Sequence, residues 1–433
     1  MLKAMLKAPI FAPVIPLLLA SVRLLPGYAV LTHEAVIDAA WDNIKAVLLQ
    51  RFPAATPEDL KKAHAFAYGG CIIQDMGYYP LGSHYFSDLA HYVRSGDFVM
   101  ALLRDAQDVD EMAFALGALA HYAADSNGHP IAVNRAVAIG YPKLRARFGD
   151  DITYAENPAA HLKTEFGFDV VEVAQGNYAA ENYHDFIGFQ VSKELLQRAF
   201  QETYALELKK QFTSLDLALG TYRHTVSTIL PEAARVAWVL KKNDIVQARP
   251  GMTKEKFLYN ISRSSYEKEW GNSYARPGVI AHMLAFLLRI VPKVGPFKSI
   301  AFRPPTAKTE TLFMQSFNRT VTVYRALLAE VGGAQLRLAN LDFDTGRPTR
   351  AEEYSLADET YAKLLRDLDK QQFQGLTPEL RTNLLAFYQD PQQLAAGAKN
   401  ATNKSQKAWS ETVAALDRLK ALATGAQTPA LAH

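Results

Sequence analysis

The stretch from Leu116 to Pro130 sets His121, Asp125 and His129 at i, i+4 and i+8 in a run of otherwise small and apolar residues. Four residues of α-helix turn about 40° past a full circle, so the three side chains share one face. Gly117, Ala118, Ala120, Ala123 and Ala124 let other backbone approach closely. A helix of this kind belongs in a core. Buried imidazoles and carboxylates cost free energy there unless they meet partners or a metal ion. A lone histidine on such a face reads as an ordinary core residue; two histidines and an aspartate on one stripe do not. The rest of the chain is therefore expected to bring further ligand-type residues to this face.

Most of the chain shows helical periodicity. Thr32 precedes a first helix that carries His33 in its first turn and runs to Leu49. After the turn between Pro53 and Pro57, a second helix covers residues 58–68 and is expected to break or kink at Gly69-Gly70. Asp75 follows in a mostly apolar setting, and residues 78–83 read as a loop. A helix over 84–92 puts His84, Asp88 and His91 near one face. Helices are expected at 97–106 and 109–135, an irregular region at 140–160, and a helix over 161–173 that holds His161 and Glu165 at i, i+4. Beyond these, residues 190–203, 216–243, 307–332, 355–371, 378–388 and 404–424 read as helices. Strand signals are weak throughout. Residues 279–291 are the most apolar stretch after the N-terminus; a core helix is expected, with an interfacial lipid-contacting helix as the alternative. Residues 334–352 read as a long polar loop; Asp342, Asp344 and Gly346 in it lack the EF-hand spacing. The expected fold class is all-α: a multi-helix bundle around a metal cluster, with added C-terminal helices. The expected layout is a signal peptide at 1–27, a helical domain at 28–215, an additional helical region at 216–424 and a tail at 425–433.

Composition narrows the function. With 433 residues, 49% of them hydrophobic, the chain has ample material for a large core. A net charge of +3 and no basic run give no electrostatic case for nucleic acid. Cys71 is the one cysteine, which rules out an intrachain disulfide and a cysteine-based zinc site. Lys3 and Lys7, the apolar stretch Ala8 to Val22 and the small residues Gly27 and Ala29 read as an export signal cut after Gly27 or Ala29. The expected location is periplasmic, cell-surface or secreted.

The ligand candidates are His33, Asp75, His84, His121, Asp125, His129, His161 and Glu165. All are nitrogen or carboxylate donors, a set that suits zinc. Eight ligands suit two or three ions, with Asp125 as the natural bridge. Clustered zinc ions serve displacement at phosphorus especially well, so phosphodiester hydrolysis is the leading inference from residue types. Each residue also has a plainer role. His33 can be a solvated first-turn residue, Asp75 a helix cap, His84 a turn residue, and His161 with Glu165 a surface pair. His64, His91 and His184 are assigned structural or supporting roles, and Asp88 and Asp169 are candidates to orient ligand imidazoles.

The pieces Thr32-His33, the Asp75 segment, Ser83-His84, His121-Tyr122-Ala123-Ala124-Asp125-Ser126-Asn127-Gly128-His129 and His161-Leu162-Lys163-Thr164-Glu165 resemble the zinc-dependent phospholipase C/D family. Fungal zinc-dependent single-strand nucleases are its distant relatives. The four-residue gap from Asp125 to His129, Tyr79-Pro80 and His91-Tyr92-Val93-Arg94 look like its glycosylphosphatidylinositol-specific phospholipase D branch. The resemblance implies three sites: His84, His121 and Asp125 with Asp75; His129, His161 and Glu165; and His33 with the bridging Asp125. It also implies that the mature N-terminal residue holds the third ion through its amine and carbonyl. That residue is usually Trp, and the spacing to His33 points here to Tyr28. Asp75 is by the same resemblance a ligand or the general base. The expected substrate is a phospholipid or glycolipid head group, with transient contact with a membrane surface and no obligate protein partner. A nuclease or nucleotidase on the same core, with bases stacking on Tyr78-Tyr79, and a non-catalytic zinc-bound module that binds lipid or a partner are the alternatives.

Overall fold

Asp108 starts the central helix by accepting a hydrogen bond from the Glu111 amide, and every residue from Glu111 to Asp125 is buried. A helix apolar on all sides has to be surrounded. The computed structural model describes residues 30–169, 189–226, 304–333, 335–389 and 403–424, with the isolated positions 243 and 246. The expected signal peptide, Tyr28, His184, the 279–291 segment and the 425–433 tail lie outside the described residues. In chain order the described helices are α1 (Val30–Ala39), α2 (Trp41–Arg51), α3 (Pro57–Ile72), α4 (His84–Tyr92), α5 (Ser95–Asp105), α6 (Val109–Gly128), α7 (Asn134–Gly140), α8 (Pro142–Phe148) and α9 (Pro158–Phe168). After them come α10 (Lys193–Tyr204), α11 (Leu215–His224), α12 (Ala307–Gly332), α13 (Ser355–Lys370), α14 (Pro378–Phe387) and α15 (Asn403–Thr424). The protein is all-α, and α3, α12, α5, α1 and α2 pack around α6.

Helix α3 is well specified at its start, with Pro57 in the first turn and a reciprocal Thr56–Asp59 capping box. It does not break at Gly69-Gly70 but runs to Ile72 and tightens into a 3₁₀ helix, Ile73–Tyr78. The glycines serve close approach instead. A Cβ on Gly70 would sit 1.9 Å from the Phe114 carbonyl oxygen, and one on Gly117 would sit 2.1 Å from that of Ala67. The obstacles are backbone, so they cannot swing away. Gly117→Ala is expected to destabilise the protein by about 1–3 kcal/mol through overpacking, read as a lowered melting temperature. Gly140→Ala is the control, since a Cβ there meets nothing within 4 Å.

The helix expected over 109–135 is interrupted. Residues His129–Val133 form a π-helical turn before α7. Pro130 has no amide hydrogen to give to Ser126 and would crowd its carbonyl in regular helix, so the turn widens locally. The region expected to be a polar loop, 334–352, holds the strand pair Leu341–Asp342 (β1) and Arg347–Pro348 (β2), antiparallel with Leu341 opposite Pro348. Asp342 and Asp344 are buried there rather than offered to solvent. Asp342 closes the turn by accepting from the amides of Asp344 and Thr345 and the Thr345 hydroxyl. One hydrophobic core joins residues from Val30–Val226 with residues from Phe313–Leu419. Tyr324 of α12 donates to the Leu116 carbonyl in the middle of α6, 2.9 Å away. Among the described residues no helix is long and apolar enough to cross a membrane.

Candidate metal centre

Six elements deliver side chains to the C-terminal end of α6. The 3₁₀ helix supplies Asp75, α4 supplies His91, and α6 itself His121 and Asp125. The π-helical turn supplies His129, α9 supplies His161 and Glu165, and α1 supplies His33. Ser87 ties the 3₁₀ helix to α4, since its hydroxyl accepts from the Gly77 amide at 2.9 Å and donates to the Gln74 carbonyl. Asn157 caps α9 through the Ala160 amide.

Asp75, His91, His121 and Asp125 each offer a ligand atom, and the four atoms lie within 4.8 Å of one another. His91 Nε2 is 3.3 Å from Asp75 Oδ1, 3.4 Å from Asp125 Oδ2 and 3.3 Å from His121 Nε2. His121 Nε2 is 3.1 Å from Asp125 Oδ2. His33 stacks on His121 with ring centroids 4.4 Å apart, and its Nε2 lies 3.3 Å from Asp125 Oδ1 and 4.0 Å from Asp75 Oδ2. Next to this group, His161 Nδ1 is 2.7 Å from Glu165 Oε1, and His129 Nε2 is 3.7 Å from the same oxygen and 3.8 Å from Asp125 Oδ1. Asp125 thus faces His33, His91, His121 and His129 at once. His33, His121, Asp125 and His161 are all 0% exposed.

The outer nitrogen of each ring decides what the inner one does. His91 Nδ1 donates to the Ser87 carbonyl at 2.7 Å, and His121 Nδ1 donates to the Cys71 carbonyl at 2.9 Å. A carbonyl only accepts, so each Nδ1 carries a hydrogen, which aims each Nε2 at the carboxylates and leaves it the nitrogen free to bind a metal ion in the neutral ring. Asn134 Nδ2 donates to the Asp344 carbonyl at 2.9 Å, which turns the amide oxygen toward His161 Nε2, 2.9 Å away. His161 therefore keeps its hydrogen on Nε2 and aims the Nδ1 lone pair at Glu165. Lone pairs aimed at carboxylate oxygens, and at each other between His91 and His121, repel unless a cation stands between them. Both oxygens of Asp125 and of Glu165, Asp75 Oδ1 and His161 Nδ1 are buried with no aligned hydrogen bond among the described residues. The donor set and its orientation fit zinc.

The electrostatics agree. Burial alone works to raise the Asp125 carboxyl, but the charges of His121 and His129 outweigh it and hold it well below its usual range. Burial works to lower His91, yet the close carboxylates of Asp125 and Asp75 raise it well above its usual value. Burial likewise opposes His129, which the Asp125 charge and the Asp344 contact raise to about 10. Burial and the neighbouring His129 depress His161 to about 3, and burial pushes Glu165 well up.

The arrangement brings together His33, Asp75, His121, Asp125, His129, His161 and Glu165. It does not bring His84 into the first group; His91 stands where His84 was expected. His84 opens α4 half-buried, with its ring edge on Tyr78 at 5.5 Å. At i, i+7 the two histidines share a face but are separated by about 10 Å along the helix. Asp169 does not orient an imidazole. Its carboxylate accepts from the Leu31 and Thr32 amides and the Thr32 hydroxyl, so it caps α1 from the end of α9. Asp88 accepts from the Tyr78 hydroxyl at 3.3 Å. His64 is structural: it pairs with Asp38 and stacks on Trp41. Residues 32–214 match the family described as zinc dependent phospholipase C. Every described ligand candidate lies inside that span. No curated protein and no solved structure matches the chain. The family's description and the buried Asp/His group both support a zinc-dependent hydrolase of phosphodiester bonds.

Two residues of the centre read differently in the sequence, His91 as structural or supporting and Asp344 as part of a polar loop. His91 sits between Leu89-Ala90 and Tyr92-Val93, an apolar setting that signals burial better than the Gly82-Ser83 flank of His84 does. Asp344 lies beyond residue 214, in a stretch with no local signal, yet its Oδ1 is 2.8 Å from His129 Nδ1.

Proposed function

We propose that this chain is a zinc-dependent phosphodiester hydrolase that cleaves phospholipid or glycolipid head groups by attack of water on phosphorus, with two or three zinc ions held in the centre. The observation that carries the reading is the set of imidazoles whose outer nitrogens are fixed on backbone or amide oxygens, so that their inner nitrogens face buried carboxylates. Asp75, His91, His121 and Asp125 would hold one ion, and His129, His161 and Glu165 a second. His33 with Asp125 would hold a third, completed by the amine of Tyr28. Bound zinc supplies an acidified water and positive charge for the phosphoryl oxygens. Asp125 links the groups, and Asp75 lies between His33 and His91, where a carboxylate serves as ligand or as proton acceptor. A closer kinship to the phospholipase D branch is part of the same proposal, carried by the Asp125–His129 spacing.

The nuclease alternative asks for an open aromatic platform. Tyr78 and Tyr79 are both buried, Tyr78 against His84, His91 and Tyr154 and Tyr79 against Tyr222. Among the described residues this pair gives no open platform, which supports the lipid reading over the nuclease one. Purified protein assayed on phosphatidylcholine, phosphatidylinositol and single-stranded DNA, with and without chelator, tests the reading. Chelator-sensitive turnover of a phospholipid is expected. Bound zinc without turnover on any substrate would favour the binding module instead.

Residues 1–27 are proposed to direct export and to be removed between Gly27 and Tyr28. Intact-mass analysis of the exported protein is expected to find Tyr28 as the first residue. A mature chain that starts at Val30 would remove the proposed amine ligand.

A further inference from the structure

The residue that completes the second ligand group comes from outside the family match. Asp344 sits at the tip of the β1–β2 turn. Its Oδ1 meets His129 Nδ1 at 2.8 Å, while Oδ2 accepts from the Tyr92 hydroxyl at 3.1 Å and from the Tyr354 hydroxyl. Its own carbonyl accepts from Asn134 Nδ2, the bond that turns the Asn134 oxygen toward His161. One residue therefore governs both imidazoles of the group: His129 through its side chain and His161 through its backbone.

The turn is built to hold Asp344 there. Gly346 has φ +67°, and a Cβ on it would lie 2.4 Å from the Ser126 carbonyl oxygen, so the turn rests directly on the end of α6. The Phe343 amide donates to the His91 carbonyl at 3.3 Å, and its ring packs edge-on to His91 at 5.4 Å. Ser95 grips β1, with its hydroxyl 2.6 Å from the Leu341 carbonyl oxygen. The Tyr354 hydroxyl also accepts from the Ala155 amide, just before the helix that carries His161 and Glu165.

We propose that Asp344 is a positioning residue for the His129–His161–Glu165 metal group, and that the segment after the family match is thereby an integral wall of the metal centre. The proposal rests on the zinc-hydrolase reading. A carboxylate only accepts hydrogen bonds, so it holds the His129 hydrogen on Nδ1 and leaves Nε2 for metal. An amide at the same position can turn its NH₂ toward the ring, and must also face two tyrosine hydroxyls that now donate to Oδ2.

The test uses the full-length protein and zinc itself as the probe. Wild type, Asp344→Asn and the Tyr92→Phe/Tyr354→Phe double variant are loaded with zinc and titrated with a competing chelator, with metal content read by mass spectrometry. Near-UV circular dichroism reports folding, and cadmium-113 NMR reports each ion separately. Asp344→Asn is expected to weaken one class of ion about 10- to 100-fold. The ion held by Asp75, His91, His121 and Asp125 is expected to keep its affinity, and one cadmium resonance moves while the rest stay. The tyrosine double variant keeps the carboxylate and is expected to show a smaller loss at the same ion; it carries the test if Asp344→Asn does not fold. Folded variants with wild-type chelator resistance and unchanged resonances would overturn the role of Asp344 and leave the zinc reading standing. A wild-type protein that takes up no zinc would overturn that reading itself, and this proposal with it.

Discussion

Asp125→Asn is expected to empty the metal centre and lower kcat/KM on phospholipid by at least about 10³-fold, or about 4 kcal/mol of transition-state stabilisation. The effect should exceed that of any other single ligand, because Asp125 alone faces His33, His91, His121 and His129. The amide keeps the size and removes the charge. Two consequences follow at once. The bridge between the groups is lost, and the imidazoles that Asp125 compensates face one another without it. Metal analysis of the dialysed variant and turnover of phosphatidylcholine and phosphatidylinositol vesicles check the expectation. Wild-type zinc content and wild-type rates in this variant would sink the cluster.

The C-terminal end of α6 was legible because its information is local. The i, i+4, i+8 stripe and the small residues around it depend only on helix geometry, and α6 forms under His121 and Asp125, with His129 opening the π-helical turn just beyond its end. The same logic holds for His161 and Glu165, one turn apart on α9. His33 was legible as a first-turn residue, but what holds that turn was not. Asp169, 137 residues away from Thr32, does so, and no spacing rule reaches that far.

The misses have physical reasons as well. Gly69-Gly70 reads as a helix break when the alternatives are judged by backbone entropy alone. In the fold those glycines are the contact surface between α3 and its neighbours, and packing overrides propensity. The 334–352 stretch reads as a solvated loop because its aspartates are polar. They are buried because each has acceptor work to do, Asp342 for its own turn and Asp344 for His129 and two tyrosines. A partner more than 200 positions away leaves no mark in the local pattern.

The choice between His84 and His91 is the sharpest case, and it yields the second large effect. Both lie on α4 and on the same face, so periodicity cannot separate them. Burial does: His91 is closed in between Tyr78, Phe343 and His121, with Nδ1 fixed on the Ser87 carbonyl and Nε2 within 3.4 Å of Asp75, Asp125 and His121. His84 starts the helix after the Ser83 cap and is half-buried. His91→Gln is expected to remove the ion of the first group and to lower kcat/KM by about 10²- to 10³-fold, about 3–4 kcal/mol. His84→Gln is expected to retain full zinc content. The glutamine side chain is near in size, so both proteins should fold, which thermal melting checks. Metal content measured side by side decides the assignment. Zinc lost from His84→Gln and kept in His91→Gln would return the ligand role to His84, and would mean that α4 sits about 10 Å, or two turns, further along its axis than described here.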